Sequence, residues 1–392
     1  MNPSEPLSLD LDRVQRTALL VGIVGVAVCL IELFIDRAQF FQSYLFAFLF
    51  WNGLSIGSLT VFLLHNVVGG NWGVVIRRFI ESGSRTFPVT FVFLLPILIF
   101  GIPSLYLWAR PEGQHDPIIQ LKAAYLNVPF FIGRAVFYFA FWILVAWRLT
   151  RISKEQDRTG DLTLSERMRA FSAPCLLVLV LTATFAFFDW IMSLEPHWFS
   201  TVYGAMFLVG QVLETLAFAV ALLVVLSKRK PFVEVLKIQH YHDLGNLMLA
   251  FTMLWAYLNL AQFLIIWAGN LPEEIPWYIR RFTSGWGVIG VFLGVFHFCV
   301  PFVLLLMRFV KKNPRILYRV AIWMICIRFV DVFWVVEPAF RQRQFWIHWM
   351  DLVAPIGLGG IWIWAFLGQL KTRPLLPLHD PRLGYQPLES EV

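Results

Sequence analysis

The chain has 392 residues, of which 58% are hydrophobic and only 15% are charged, and this balance excludes an ordinary soluble protein of that length. The formal net charge of +7 does not indicate a nucleic-acid partner, because the basic residues are spread over the ends of many apolar segments.

The apolar residues fall into ten runs of about the length that crosses a hydrocarbon core. They predict an all-α membrane protein with ten transmembrane helices, since isolated strands cannot satisfy their backbone groups in lipid. We expect residues 1–392 to form a single integral membrane domain. The runs cover residues 16–35, 41–65, 87–109, 128–149, 171–190, 202–226, 245–268, 284–307, 316–336 and 348–370.

Three polar segments lie between or after these runs. Residues 66–86 contain Trp72 beside Arg77 and Arg78, which predicts a short helix in the headgroup region. Residues 150–170 are the most polar stretch and predict a solvated loop. The tail, residues 371–392, contains four prolines and is expected to be extended, on the membrane surface or on a neighbouring subunit.

Basic residues are distributed unequally between the two sides of the membrane. With loops assigned alternately, 23 lysines and arginines fall on the side of both termini and 7 on the other side. This asymmetry predicts that both termini are cytoplasmic, and we use inner and outer in that sense.

One phrase occurs twice, each time at the outer end of an apolar run, at an offset of 142 residues. The two ends lie four runs apart and therefore have the same orientation. The repeat predicts two parallel four-helix bundles, residues 41–190 and 202–336, flanked by the first and last helices. The phrase consists of Phe187, Asp189, Glu195 and Pro196, and then of Phe329, Asp331, Glu337 and Pro338.

Two glycine pairs have the spacing that lets helices approach closely. They are Gly53 with Gly57 and Gly290 with Gly294, and both predict contacts between transmembrane helices.

Ionisable side chains inside the runs are the candidate functional residues, because charge is costly in lipid. One interpretation is that they form buried pairs that fix helix register. The other is a polar cavity and a proton path from the inner histidines through the midplane, where desolvation would keep an unpaired carboxyl protonated. The outer set is Arg134, Asp189, Glu195, Arg328, Asp331 and Asp351, the midplane set is Glu214 and His297, and the inner set is His65, His242 and Asp243.

The two aspartates of the repeat differ in their neighbours. Asp331 has Arg328 one turn before it, whereas Asp189 has Ala186 there and must use Arg134 from another helix or stand unpaired. We therefore expect Asp331 to be locked in a pair and Asp189 to be the acid that titrates more freely.

The sequence predicts no redox centre of its own. A haem b would need two histidines at similar depth on facing helices, and only His297 is near the midplane while His65 is well off level. The cysteines form no metal-binding spacing, and no phosphate-binding glycine pattern is present. We expect a cofactor-free protein.

The stretch from Phe188 to Gly204, FDWIMSLEPHWFSTVYG, resembles a known family. It is similar to the NrfD/PsrC-type integral membrane subunits of bacterial alternative complex III, and within them most similar to the ActF type. The ten-helix plan extends the resemblance over the membrane part of the chain.

The resemblance implies a bacterial cytoplasmic membrane protein in a respiratory or photosynthetic complex that oxidises quinol and passes electrons to a periplasmic acceptor. Its partners would be membrane lipids, a homologous sister subunit, and subunits that carry iron–sulfur and haem c centres. The family's role in quinol binding or proton movement would carry over to Asp189 and, through the repeat, to Asp331.

Two other functional classes fit parts of the sequence. Internal repeats with charged residues at the midplane also occur in secondary transporters, although glycine- or proline-broken helices are not found at matching positions of the two halves. A purely structural scaffold subunit is the third possibility.

Overall fold

The computed structural model describes residues 10–341, 345–377 and 380, and these residues form helices and no strand. The principal helices are α1 (Asp10–Ile35), α2 (Arg37–Val68), α3 (Arg77–Ser84), α4 (Phe87–Pro96), α5 (Val128–Thr159), α6 (Thr163–Trp190), α7 (Tyr203–Leu226), α8 (Ile238–Gly269), α9 (Ile275–Phe282), α10 (Ser284–Leu293), α11 (Val300–Leu306), α12 (Pro314–Val336) and α13 (Met350–Leu370).

Shorter segments join these helices. Two wide π turns, Ile97–Gly101 and Gly294–Cys299, continue α4 and connect α10 to α11. The remaining short helices are Ile102–Leu105, Leu107–Ala109, Glu112–His115, Pro117–Leu121, Met192–Leu194, Phe232–Val235, Arg308–Lys312 and Glu337–Ala339.

Within the described residues, nine helical segments are long and apolar enough to cross a membrane. They correspond in order to nine of the ten predicted runs. The remaining run, 316–336, forms α12, which is a helix of membrane-spanning length but is not one of the nine. Its hydropathy is lowered by charged residues, among them Arg319, Arg328 and Asp331.

The prediction of a solvated loop over residues 150–170 is wrong. Helix α5 continues to Thr159, and α6 begins at Thr163. Gly160 ends α5 with a left-handed backbone (φ 69°), and its N–H bonds to the carbonyl of Gln156. The polar residues here are good helix formers, so the two helices extend beyond the apolar part of the sequence.

The prediction of a headgroup helix in residues 66–86 is also wrong. Every residue of α3 is buried, and the helix packs against α2, α5 and α13. Its two arginines face carboxylates inside the protein, as described below, and therefore do not lie at the lipid surface.

The helices of each half of the chain pack mainly against other helices of the same half. Helix α2 contacts α4 and α6, and α5 contacts the same two helices. In the second half, α7 contacts α8 and α12, α8 contacts α11, and α10 contacts α12. Helices α2 and α7 lie against each other at the centre, and α13 packs against α1, α2 and α3.

The contact between α2 and α7 depends on the first glycine pair. A Cβ at Gly53 would lie 2.5 Å from the Nε2 atom of Gln211, and one at Gly57 would collide with Thr215. The missing side chains let two polar residues of α7 reach the backbone of α2. Gly290 and Gly294 behave differently, because a Cβ at Gly294 would have nothing within 4 Å.

Helices α1 and α13 cross at a second set of glycines. A Cβ at Gly25 would lie 2.7 Å from the Cα atom of Gly357, and one at Gly360 would lie 2.5 Å from the backbone nitrogen of Gly22. Backbone therefore meets backbone at this crossing, where no side chain could fit.

We expect Gly360→Val to destabilise the protein by about 1–3 kcal/mol, because the added atoms must push two backbones apart. Gly133→Val is the matched control, since a Cβ at Gly133 meets no atom within 4 Å. Thermal unfolding in detergent measures both. Equal unfolding midpoints for the two variants would show that α1 and α13 can move apart without a loss of stability.

The described part of the tail packs on the protein itself. Leu375 and Leu376 are buried, and the Asp380 carboxylate is 2.8 Å from Nη1 of Arg77 in α3. The tail thus begins as a segment held at the inner side of this chain rather than on a neighbour or the lipid surface. Residues 378–379 and 381–392 of the predicted tail lie outside the described residues.

Candidate functional site

Asp331 is the centre of a buried cluster in the second half of the chain. Arg328, one turn earlier on α12, donates a hydrogen bond to its carboxylate, and Trp255 Nε1 of α8 donates another at 3.2 Å. His297 Nδ1 is 3.6 Å from the same carboxylate oxygen. These four side chains are buried, so side chains from α8, α12 and the second π turn converge on one acid.

His297 lies in the wide π turn Gly294–Cys299. Pro301 follows it by four residues and has no N–H to bond to the carbonyl of His297, so an ordinary turn cannot form there. The imidazole packs on Trp255 with ring centroids 4.1 Å apart. Neither ring nitrogen makes a hydrogen bond within the described part of the chain.

Glu214 approaches the same cluster from α7. Its side chain is fully buried, and neither carboxyl oxygen has a hydrogen-bond partner among the residues described. One turn away on α7, the guanidinium of Arg328 lies against Gly210, and it donates to the carbonyl of Phe207 at 3.3 Å. Glu214 therefore interacts electrostatically with both Arg328 and Asp331.

An aromatic cavity of about 590 Å³ opens beside Asp331. It lies between α8, α9, α10 and α12, and among the described residues that line it Asp331 is the one with a charge. Gly290 and Gly294 also line it. A Cβ at Gly290 would lie 3.4 Å from the Trp334 ring of α12, so this glycine faces a neighbouring helix at an ordinary contact distance, whereas Gly294 borders open space. Its rings are those of Trp255, Tyr257, Phe263, Trp277, Tyr278, Phe282, Phe298 and Trp334.

Asp189, the counterpart of Asp331 in the first half, pairs with an arginine and accepts a hydrogen bond from a tyrosine. Nε and Nη2 of Arg134 donate to its two oxygens at 2.9 and 2.8 Å, and the Tyr138 hydroxyl donates at 2.9 Å. The guanidinium is itself held 3.8 Å from the ring centroid of Tyr125. Of the two alternatives for Asp189, the structure contains the pair with Arg134, which reaches it from α5 with two nitrogens. That Asp189 titrates more freely than Asp331 stays a prediction.

The two glutamates of the repeat also meet arginines. Glu195 is buried, 3.3 Å from Nη1 of Arg281 and 3.5 Å from Nη1 of Arg280. It lines a second cavity at the outer side, of about 430 Å³, together with Arg280 and with Phe340, which lies two residues after Pro338 of the second copy. The outer ends of the two halves thus border one polar space.

Asp351 forms a third buried group with Arg341 and Glu337. The Arg341 nitrogens Nη1 and Nη2 donate to both Asp351 oxygens at 2.7 and 3.0 Å, and Ser43 Oγ donates at 2.6 Å. Glu337 is completely buried, with one oxygen 3.2 Å from Nε of the same arginine. The guanidinium of Arg341 therefore contacts the carboxyl groups of both Asp351 and Glu337.

Glu337 lies just beyond the last residue of α12, outside the spanning helices. Burial raises the pKa of its carboxyl to about 8 from an ordinary value of 4.5, with Arg341 opposing the increase and Asp351 adding to it. The native protein therefore holds a proton on Glu337 at neutral pH.

We expect Glu337→Gln to remove part of the pH dependence of stability. Between the ordinary pKa and about pH 8 the native state binds this proton and the unfolded chain does not, so wild-type stability falls as pH rises through that window. In the variant this contribution is absent. Thermal unfolding midpoints at several pH values measure it, and parallel curves for the two proteins would contradict the assignment.

The inner candidates are His65, His242 and Asp243, and the contacts they make are with residues other than Glu214. His65, in the last turn of α2, has Nε2 3.0 Å from the carbonyl of Gly70 and its ring edge on Trp72. His242 and Asp243 lie in the first turns of α8, partly exposed, with Nδ1 and Oδ1 3.6 Å apart.

An inner charge cluster was missed by the sequence analysis. Glu81 of α3 accepts from Arg77 at 3.0 Å, from Arg78 at 2.6 Å and from Arg373 of the tail at 3.2 Å. The spacing of Arg77, Arg78 and Glu81 could have suggested these pairs. Arg78 also forms an ion pair with Asp157. Arg77 donates a hydrogen bond to Asp380, which lies 303 positions later in the chain.

Within residues 10–341, 345–377 and 380, no group of three or more His, Cys, Asp or Glu side chains is arranged to hold a metal ion. Comparison with models of known protein families and with curated proteins returns no match for this chain.

Proposed function

We propose that the chain is a cofactor-free membrane subunit of a quinol-oxidising electron-transfer complex of the NrfD/PsrC type, as in bacterial alternative complex III. The observation that carries the proposal is the junction of Asp331 with the aromatic cavity. A flat, apolar ring with hydroxyl groups fits a space lined by aromatic rings that ends at a single carboxylate. The resemblance of the Phe188–Gly204 stretch points to the same class.

In this proposal Asp331 accepts the proton of a quinol hydroxyl. Arg328 stabilises the carboxylate form of Asp331, and Trp255 fixes its orientation. The quinol proton then leaves Asp331 toward the outer side, while His297, 3.6 Å away, connects Asp331 with the route from the inner face. The electrons pass to iron–sulfur and haem c centres on partner subunits, and the quinone leaves through the lipid side. This chain supplies the pocket and the proton route.

Glu214 joins the relay at the membrane midplane. It is close enough to Arg328 and Asp331 to respond to their charge, and no hydrogen bond from a described residue holds its carboxyl in one state. A proton crossing the membrane would pass Glu214 and His297 on a route between the inner face and Asp331. Asp189, with Arg134, serves as a fixed pair that holds the first half together.

The architecture we propose has ten spans, with α12 as the ninth, and two parallel four-helix bundles. Support comes from the contacts of α2, α4, α5 and α6 with one another and of α7, α8, α10–α11 and α12 with one another. Both termini would face the cytoplasm of a bacterium, in agreement with the basic residues of the inner loops. Helices α1 and α13 would flank the bundles.

The experiment that tests this proposal is purification of the natural complex in a mild detergent. We expect a homologous sister subunit and proteins with iron–sulfur and haem c spectra to co-purify, together with quinol-dependent reduction of the haem. Purification as a lone protein that takes up a solute into liposomes would refute it and favour a transporter.

A further inference from the structure

We infer that protons reach Glu214 from the inner face along a buried polar file at the seam of α2 and α7, formed by Gln211, Asn52, Ser55 and Thr86, which opens onto the Glu81 cluster. The inference rests on the proposed function and replaces the entrances at His65 or at His242 and Asp243. Each transfer breaks one O–H bond and forms another, between ordered waters and the hydroxyl groups, while the amides of Gln211 and Asn52 hold the waters by hydrogen bonds.

The upper part of the file is made of buried polar groups whose hydrogen bonds are unmet. The amide oxygen and nitrogen of Gln211, the amide oxygen of Asn52 and both oxygens of Glu214 have no partner among the residues described, and all three side chains are 0–1% exposed. Buried polar groups are nearly always hydrogen-bonded, so such a concentration points to ordered water between them.

The two helices bring these groups together at the glycine pair. Gln211 lies against Gly53, the residue after Asn52, and Thr215 lies against Gly57. Gln211 and Glu214 are three residues apart on α7 and therefore share a face. The glycines let α2 and α7 pack closely, and the side chains of Gln211 and Thr215 place polar atoms between the two helices.

Below the midplane the polar face of α2 continues at intervals of three residues. Ser55 Oγ is 2.6 Å from Thr86 Oγ1 and accepts from Trp362 Nε1 at 3.0 Å. Ser58, the next on this face, lies against Gly83 of α3. The hydroxyl groups can each donate and accept, as a proton-conducting file requires.

The file ends at the inner charge cluster. Glu81, two residues before Gly83, accepts from Ser153 Oγ at 2.6 Å and from Arg78 at 2.6 Å. Arg78 also pairs with Asp157, whose side chain is 12% exposed and so reaches the inner surface. The cluster thus connects the inner end of the file with the surface through Asp157.

The test uses Gln211→Leu, which keeps the size of the side chain and removes its hydrogen bonds. The matched control is Gln262→Leu, an equally buried glutamine of α8 that accepts from Ser200 at 2.6 Å. In the assembled complex in liposomes, we expect Gln211→Leu to slow proton uptake from the inner side at least about tenfold. Gln262→Leu should change it less than about twofold.

A second measurement does not depend on turnover. The rate at which the Glu214 carboxyl exchanges its proton for deuterium, followed by its infrared band, should fall in Gln211→Leu and in Asn52→Leu but not in Gln262→Leu. Unchanged exchange and uptake in Gln211→Leu and Asn52→Leu, with a loss in His242→Ala or Asp243→Asn, would overturn the route and leave the proposed function intact. If the complex oxidises no quinol, the proposed function fails, and the exchange rates still decide the route.

Discussion

Replacing Asp331 by asparagine should lower quinol oxidation by the assembled complex by about 10²- to 10⁴-fold, the usual contribution of a positioned general base. Asparagine keeps the shape of the side chain and can still bond to Trp255, but it cannot take up a proton. The measurement is the rate of quinol-dependent haem reduction, with proton release followed in the same liposomes.

Asp189→Asn is the control for this change, because it alters the same residue type in the other copy of the repeat. Asp189 is not among the described residues that line the cavity beside Asp331, and it is held by Arg134 and Tyr138, so we expect turnover to remain within about tenfold of wild type. Thermal unfolding midpoints of each variant show whether a loss of turnover comes from the missing carboxylate or from a destabilised fold. If Asp331→Asn, Glu214→Gln and Asp189→Asn all left oxidation and proton release unchanged, the relay would be wrong.

Replacing Arg134 by methionine should destabilise the protein by about 3–5 kcal/mol, because it leaves the Asp189 carboxylate buried without its counter-charge. Arg280→Met is the matched control. Arg280 is partly exposed and 3.5 Å from Glu195, a carboxylate that Arg281 also contacts, so its loss should cost about 0–1 kcal/mol. Denaturant unfolding in detergent measures both variants.

A second substitution shows whether the unpaired charge causes the loss. The double variant Arg134→Met with Asp189→Leu removes both charges, and it should recover most of the stability that Arg134→Met alone loses. If the double variant were as unstable as the single one, the stacking of Arg134 on Tyr125 and Phe130 would be the main contribution instead.

The helices could be predicted because lipid imposes a simple rule of length, hydropathy and low charge, which nine of the ten runs satisfy within the described residues. Run 316–336 contains Arg319, Arg328 and Asp331 and still forms α12, since Arg328 and Asp331 are buried against other helices. The same rule failed for residues 150–170, where polar residues continue two helices instead of ending them. Hydropathy locates the membrane part of a helix but not the end of the helix.

The candidate site was predictable in part. The spacing of Arg328 and Asp331 along one helix predicted their pair, which the structure contains. The approach of His297 and Glu214 to that pair depends on a π turn and on the facing of α7, and neither follows from local sequence. Arg134 was the arginine named for Asp189, but whether it reaches the acid depends on how α5 packs against α6, which local sequence does not determine.

The bond from Arg77 to Asp380 has a consequence for how the protein is made. The carboxylate lies 303 positions after the arginine, so a ribosome that has completed α3 and α4 has not yet synthesised the partner. Helix α1 likewise emerges long before α13, against which it packs. These contacts cannot form until α13 and Asp380 have been made, so α1 and α3 complete their packing only late in synthesis.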